Sequence, residues 1–356
     1  MEWSILIVLL IINAALGGQQ LLNSLARHSA DKTKEDKSPA SDPAIPPSRL
    51  GEFTTAVVLS WWRELFKLAW SVVAVAIEAG KGRPWIEFWP GWLSLVTVSI
   101  CSFTGIIENF GFYIIAKYPP HLWAPYINIY LLLLPIFTGL MFGSTVRKEH
   151  WIGTVLVFAG LAVSKIEVSV FPWLKKIVLS SGGGGGHHGT YHQEMDWVAF
   201  TWIVVINLCL CSQQLLNNKS VQLAVRKVSA NGFVVWREIF KFGFATLALG
   251  ILAAYTSSNF FSYFEVGKAV LFALGAGLTG YIYSWGFFVL SKFPVHLWVP
   301  YTTLYLVTLP FLGVWLLPGV TVTIGQLLGT AFVGAGLFVG LSDYKHHKVE
   351  RITDKQ

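Results

Sequence analysis

The chain has 356 residues, of which 54% are hydrophobic and only 13% charged, and its mean hydropathy is +0.57. A soluble domain carries about 25% charged residues, so this composition excludes an ordinary soluble globule and points to a chain whose main solvent is lipid. The net charge of +7 is spread thinly over 26 Lys and Arg against 19 Asp and Glu, and nucleic acid is not an expected partner. Sixteen Trp and 25 Phe suit a protein with aromatic rings at the lipid–water boundary. Cys101, Cys209 and Cys211 all fall in apolar stretches, with neither a disulfide framework nor metal spacing.

Taken in order, ten apolar segments are long enough to span a bilayer, each needing about 20 residues. They lie near 3–26, 53–79, 91–116, 121–143 and 150–171, then near 196–217, 231–254, 267–291, 296–317 and 322–343. The first has no basic leader before it and is read as a retained span rather than a signal peptide. Residues 28–52 mix charge with Pro and Ser and read as a solvated, poorly ordered loop. Residues 175–195, with five consecutive glycines and the pair His187-His188, read as a flexible linker without rigid metal geometry. The expected organisation is a first five-span repeat over 1–174, the linker over 175–195, a second repeat over 196–343 and a cytoplasmic tail over 344–356.

The two halves repeat each other. The run from Trp62 to Lys67 returns from Trp236 to Lys241, and the run from His121 to Tyr126 returns from His296 to Tyr301. Gln19-Gln20-Leu21-Leu22-Asn23 recurs unchanged as Gln213-Gln214-Leu215-Leu216-Asn217, and Asn13 is matched by Asn207. Five spans is an odd number, so the second repeat starts on the side opposite the first. The predicted fold is therefore an all-α polytopic membrane protein of ten transmembrane helices in two inverted five-helix repeats, a design that suits alternating access around a midplane site. In the second half Lys219, Arg226, Lys227 and Lys292 fall on one side with the tail residues Lys345, Lys348, Arg351 and Lys355, while Lys268 stands alone on the other. That asymmetry places both termini in the cytoplasm. Asn218-Lys219-Ser220, the chain's single glycan acceptor, is then expected to stay bare in a cytoplasmic loop.

Several candidate site residues lie inside the predicted spans. Arg63, Lys67, Arg237 and Lys241 stand against Glu64, Glu238 and Glu108. Each such charge costs about 2.5–3.5 kcal/mol to place at a bilayer centre, so it faces protein or a water-filled cavity. Four cations against three acids favour an anionic solute. Two readings stay open, direct contact with substrate and bracing of neighbouring helices by internal ion pairs. Asn109, Asn13, Gln20, Asn207 and Gln214 are further candidates, either as substrate ligands or as interhelical hydrogen-bonding groups. Tyr130 and Tyr305 sit deeper than Tyr126 and Tyr301 and could stack on a ring. His121 and His296, at span starts, read as interfacial. Gly325/Gly329 and Gly336/Gly340 permit close helix approach within the chain or in a homodimer.

Four stretches carry a resemblance. Asn13-Ala14-Ala15-Leu16 with Arg27-His28-Ser29 is similar to a QNAAL…RYS pattern. Thr54-Thr55-Ala56-Val57-Val58 followed by Glu64 and Lys67 is similar to TTAVV and an ELLKL helix. Glu108-Asn109 through Tyr113 is similar to QNNLLY, and Val235-Trp236-Arg237 with Ala248-Leu249-Gly250 is similar to VWLRN and ALG. The chain thus resembles a divergent member of the nucleotide-sugar transporter branch of the drug/metabolite transporter superfamily. It departs from that family at Leu131–Leu134, where a YQLKI lysine is expected, and at Tyr281–Phe287, in place of KYADN. The resemblance implies exchange of a cytosolic nucleotide sugar for a luminal nucleoside monophosphate across a Golgi or endoplasmic reticulum membrane. The open alternatives are another organic solute (an amino acid, a sugar phosphate or a drug-like compound) and a non-transporting receptor or structural protein. No ATP-binding motif, no HisGluXxxXxxHis and no GlyXxxSerXxxGly occurs, so no cofactor and no enzymatic activity are expected.

Overall fold

The computed structural model describes residues 3–37, 49–118, 120–123, 126–130, 179–180, 195–225, 227–256, 267–291, 321–322 and 324–341, with single positions between 131 and 163 and between 302 and 312. Much of the fourth, fifth and ninth predicted spans and nearly all of the linker, His187, His188 and His296 included, lie outside the described residues. The long helices are α1 (Trp3–Lys37), α2 (Arg49–Gly80), α3 (Trp92–Ile115), α4 (Trp197–Gln222), α5 (Ala230–Thr256), α6 (Ala269–Leu290) and α7 (Ile324–Leu341). Leu179–Ser180 pairs antiparallel with Thr321–Val322 in a two-residue ladder.

Five segments are long and apolar enough to cross a membrane: Ile7–Asp31, Trp92–Ile115, Trp197–Gln222, Ala230–Tyr255 and Ala269–Leu290. α2 has the length, at 32 residues, but Arg63, Glu64 and Lys67 at its centre set it apart. The polarity of these helices is the reverse of a soluble protein's. Leu93, Val96, Ile100 and Phe103 form one exposed stripe along α3, and Leu271, Leu274 and Leu278 another along α6, while Arg63, Glu64, Lys67, Glu238 and Lys241 are fully buried. An apolar outside around a charged inside is stable where the surroundings are lipid.

α1 packs along α6, α3 along α4, and α2 along both α5 and α6. Glycine sets two of these approaches. A Cβ on Gly286 would stand 2.5 Å from Ile12 of α1, and one on Gly111 would stand 2.8 Å from Ile206 of α4. These contacts are repeat-equivalent, Ile12 answering to Ile206 and Gly111 to Gly286. In α7, Gly329 and Gly336 are buried within the chain.

The helix ends gather in two layers. In one, Lys117 after α3 lies 3.0 Å from Glu52 near the start of α2 and 3.6 Å from Asp196 just before α4. In the other, Arg83 pairs with Glu78 and Glu87 after α2, the Ser229 amide donates to the Glu87 carbonyl, and the Val225 amide donates to the Pro90 carbonyl. α1 to α6 therefore run alternately up and down between the layers.

Two boundaries differ from the sequence reading. α1 continues to Lys37, so 28–37 is helical rather than loop; the i,i+4 pair Arg27–Asp31, at 2.8 Å, ties this extension down, and Arg27 also donates to the Glu52 carbonyl. α4 continues to Gln222, which puts Asn218 inside a helix instead of a loop. Its side chain is buried, donates to the Ser291 carbonyl at 2.9 Å and accepts from Gln222. Asn218 should therefore carry no glycan whichever side of the membrane it faces, and a glycosidase-sensitive mass shift abolished by Asn218→Gln would contradict this packing.

Asp196 caps α4, accepting from the Ala199 amide at 2.8 Å. Partial burial works against its charge, but that amide and the Lys117 ammonium outweigh it and hold its pKa below the ordinary 3.8. Burial likewise works against the Lys117 ammonium, yet Glu52 raises its pKa above the ordinary value. Asp196→Ala should cost about 1 kcal/mol, with Asn retaining most of the cap. Because the folded pKa is the lower one, the carboxylate's contribution is complete above the unfolded value and lost as pH falls through the folded one. The melting-temperature gap between wild type and Asp196→Ala should thus be level from about pH 5 to about pH 8 and close below about pH 4.

Candidate functional site

The candidate site residues fall into two adjoining layers. The inner layer is a charge network between α2 and α5, the two helices that carry the repeated Arg-Glu-xxx-Lys pattern. Arg63 and Lys67 are four residues apart on α2 and share a face, as do Arg237 and Lys241 on α5. Arg63 meets Glu64 at 3.0 Å and donates to the Asn109 side-chain oxygen on α3, and Asn109 donates back to Glu64 at 2.6 Å. Lys67 crosses to Glu238 of α5 at 3.0 Å. Arg237 donates to Ser284 of α6 at 3.1 Å and to the Gln213 oxygen of α4, and the Gln213 amide donates to Glu108.

The network repeats with the sequence. Asn109 and Ser284 are equivalent positions, and each receives the arginine of its own half's Arg-Glu pair. Both lysines lie against a glycine: a Cβ on Gly280 would stand 3.3 Å from Lys67 Cδ, and one on Gly105 would stand 2.2 Å from Lys241 Cε. The balance between the lysines is unequal. Lys67 has its ion pair and also lies 5.1 Å over the Tyr283 ring. Lys241 Nζ is buried with no hydrogen-bond partner among the described residues.

The outer layer is a cavity of about 40 Å³. At roughly 10–15 Å³ per water it has room for about three water-sized groups. Its walls come in repeat-equivalent pairs: Leu16 with Leu210, Gln20 with Gln214, Phe112 with Phe287, and Tyr130 with Tyr305. Glu108 faces Tyr283 from the equivalent position, and Ile127 answers to Thr302. The positioning bonds are paired too. Asn207 accepts from the Tyr130 amide at 2.6 Å, and Asn13 accepts from the Tyr305 amide at 2.8 Å. Each asparagine also donates to its own helix, to the Ile203 and Leu9 carbonyls respectively.

The sequence candidates are thus divided. Glu108, Gln20, Gln214, Tyr130 and Tyr305 line the cavity. Asn13 and Asn207 hold its tyrosines without lining it. Arg63, Glu64, Lys67, Asn109, Arg237, Glu238 and Lys241 stand behind the wall, and none of the four cations lines it. The sequence reading missed Phe112, Phe287, Tyr283, Leu16 and Leu210, although each pair of equivalents was available in the repeat. A larger recess of about 350 Å³ between α2 and α5 is lined by Val72, Trp85, Trp89 and Trp236 among others. It offers no charged group, and the Trp236 indole N–H is taken by the Phe88 carbonyl.

No family model matches the chain, and no curated protein matches it. A solved structure described as "Crystal structure of protein" superposes on it with a TM-score of 0.52 and 16% identity, covering 96% of this chain and 99% of its own. That likeness is one of fold.

The bracing role of the inner layer can be measured. Removing one partner of a buried ion pair typically costs about 3–5 kcal/mol, because the other charge is stranded. Glu238→Gln should therefore lower the melting temperature of the purified protein strongly. Adding Lys67→Met should restore part of the loss, so that the double variant is more stable than the sum of the two singles. Strict additivity would show that Lys67 and Glu238 are not coupled.

Proposed function

We propose that this protein is a secondary-active transporter that moves a small organic solute by alternating access between two inverted five-span repeats, ten spans in all, with both termini in the cytoplasm. The observation that carries this reading is the composition of the cavity. Its wall is built from equivalent residues of the two halves, so it lies on the seam along which two repeats would rock. A site on such a seam can be opened to either side by related movements of the halves. Its small volume fits an occluded arrangement, in which admission of a solute requires α1 and α4 to part. These two helices do not pack along each other; Gln20 of α1 and Gln214 of α4 both line the cavity.

The resemblance supplies a narrower reading, nucleotide-sugar exchange for a nucleoside monophosphate in the Golgi or endoplasmic reticulum. One observation favours it: the buried set holds four cations against three carboxylates, and Lys241 lacks a hydrogen-bond partner. An anion would have to draw Lys241 towards the cavity from its notch at Gly105.

Counterflow into proteoliposomes tests both readings, with nucleotide sugars, amino acids, organic cations and sugar phosphates offered against preloaded vesicles. Saturable, trans-stimulated uptake of one class is expected; its absence for every class would remove the transport reading. Gln20→Cys with Gln214→Cys, in a background without Cys101, Cys209 and Cys211, should cross-link with a yield that changes when the transported solute is added. A constant yield would mean that α1 and α4 do not separate. Orientation is read independently of Asn218 by inserting a glycan acceptor between residues 38 and 48, which should be modified if the N-terminus is cytoplasmic.

A further inference from the structure

We infer that the cavity is a recognition site for a protonated amine, and that the transported solute carries a primary ammonium group. The inference rests on the transport reading for its biological role, though not for its chemistry.

A carboxylate, three glutamine side chains and several aromatic rings meet at the cavity, and among the described residues no basic side chain lines it. Glu108, on α3, is the single charged residue among the described residues that line it and is 4% exposed. Gln213 occupies part of its carboxylate, but a carboxylate has about four lone-pair sites, so acceptor capacity remains. Gln20 of α1 and Gln214 of α4 line the cavity, are 3% and 1% exposed, and their side-chain oxygens are buried with no hydrogen-bond partner among the described residues. Buried carbonyl oxygens left unpaired are costly, and two of them at equivalent positions of one cavity mark a place where a donor belongs. An ammonium group offers three N–H donors and no acceptor. Three donors match Glu108 and the two glutamine oxygens.

The aromatic faces agree. Tyr130, Tyr283 and Tyr305 line the same space, and the faces of such rings attract cations by their quadrupole. Lys67 already uses Tyr283 in this way from behind the wall, 5.1 Å from the ring centre. The inner cations do not cancel the site's preference by contact. Arg63 is engaged by Glu64 and Asn109, Lys67 by Glu238, and Arg237 by Ser284 and Gln213, while Lys241 lies in its notch at Gly105 and does not line the cavity. The volume of about 40 Å³ takes an ammonium head and not a phosphate-bearing nucleotide.

The test uses the full-length protein in nanodiscs at neutral pH and reads binding by thermal stability and by intrinsic fluorescence. The probes are propylammonium, its neutral analogue propanol, propionate, and sodium at matched ionic strength. Propylammonium should stabilise the protein saturably while the other three leave it unchanged. Glu108→Gln should weaken propylammonium by about ten- to a hundredfold, as loss of a charge-assisted hydrogen bond would, and Gln214→Leu by a smaller factor. If Glu108→Gln does not fold, the wild-type probe series together with Gln20→Leu and Gln214→Leu decides the matter. A response to propionate in place of the amine overturns the inference, as does an equal response to sodium or no response to propylammonium. Counterflow separates this from the transport reading. Amine binding without counterflow would retain the amine site and remove transport. Trans-stimulated uptake of an anion that propylammonium does not inhibit would retain transport and remove the amine site.

Discussion

Everything in this structure is arranged around charge that lipid cannot solvate. α2 and α5 each bring an arginine, a glutamate and a lysine to the membrane interior, and such groups are tolerated there only when protein surrounds them. The pairing of Lys67 with Glu238 forces α2 against α5. Asn109 and Ser284 receive the arginines and thereby draw in α3 and α6. Glycines at 105 and 280 leave notches that the lysine stems fill. The exposed apolar stripes then follow, because the polar faces of these helices are already committed inward.

The network also accounts for where the cavity lies and what lines it. Gln213 bonds both Arg237 and Glu108, so the carboxylate at the cavity wall is held in place by the charge layer behind it. Asn13 and Asn207 each bridge a helix of one half to a tyrosine amide of the other. These bridges are hydrogen bonds, and they join the two halves beside the ion pair of Lys67 with Glu238. Interhelical hydrogen bonds of this kind are worth roughly 0.6–2 kcal/mol in bilayers, far less than a broken buried ion pair.

The separation of the two layers changes the meaning of the buried charge. A count of four cations and three acids suggests a basic cavity. Placed in three dimensions, Arg63, Lys67 and Arg237 brace helices, Lys241 lies behind the wall, and the cavity is left with a carboxylate, amide groups and aromatic rings. Net charge in the interior and charge at the wall are different quantities, because a buried pair separated by a few ångströms largely cancels beyond its own contact.

The sequence alone determined the membrane character, the duplication, and the identity of nearly all polar residues that matter, since apolar runs and repeated motifs are one-dimensional signals. It also placed the long helices to within a few residues, except where local pairs such as Arg27–Asp31 and the Asn218–Gln222 contact extend α1 and α4 beyond their apolar segments. Only the tertiary structure decided which of the polar residues face the cavity. Glu64 and Glu108 are both acids within predicted spans. One is held between Arg63 and Asn109, the other reaches the cavity wall through Gln213, and that difference depends on helix rotation and on partners from other helices. Likewise Phe112, Phe287 and Tyr283 are ordinary apolar-span residues until α1 packs on α6 and α3 on α4, which turns their faces to a common space. Burial and direction are set by packing between segments far apart in the chain, and no local pattern encodes them.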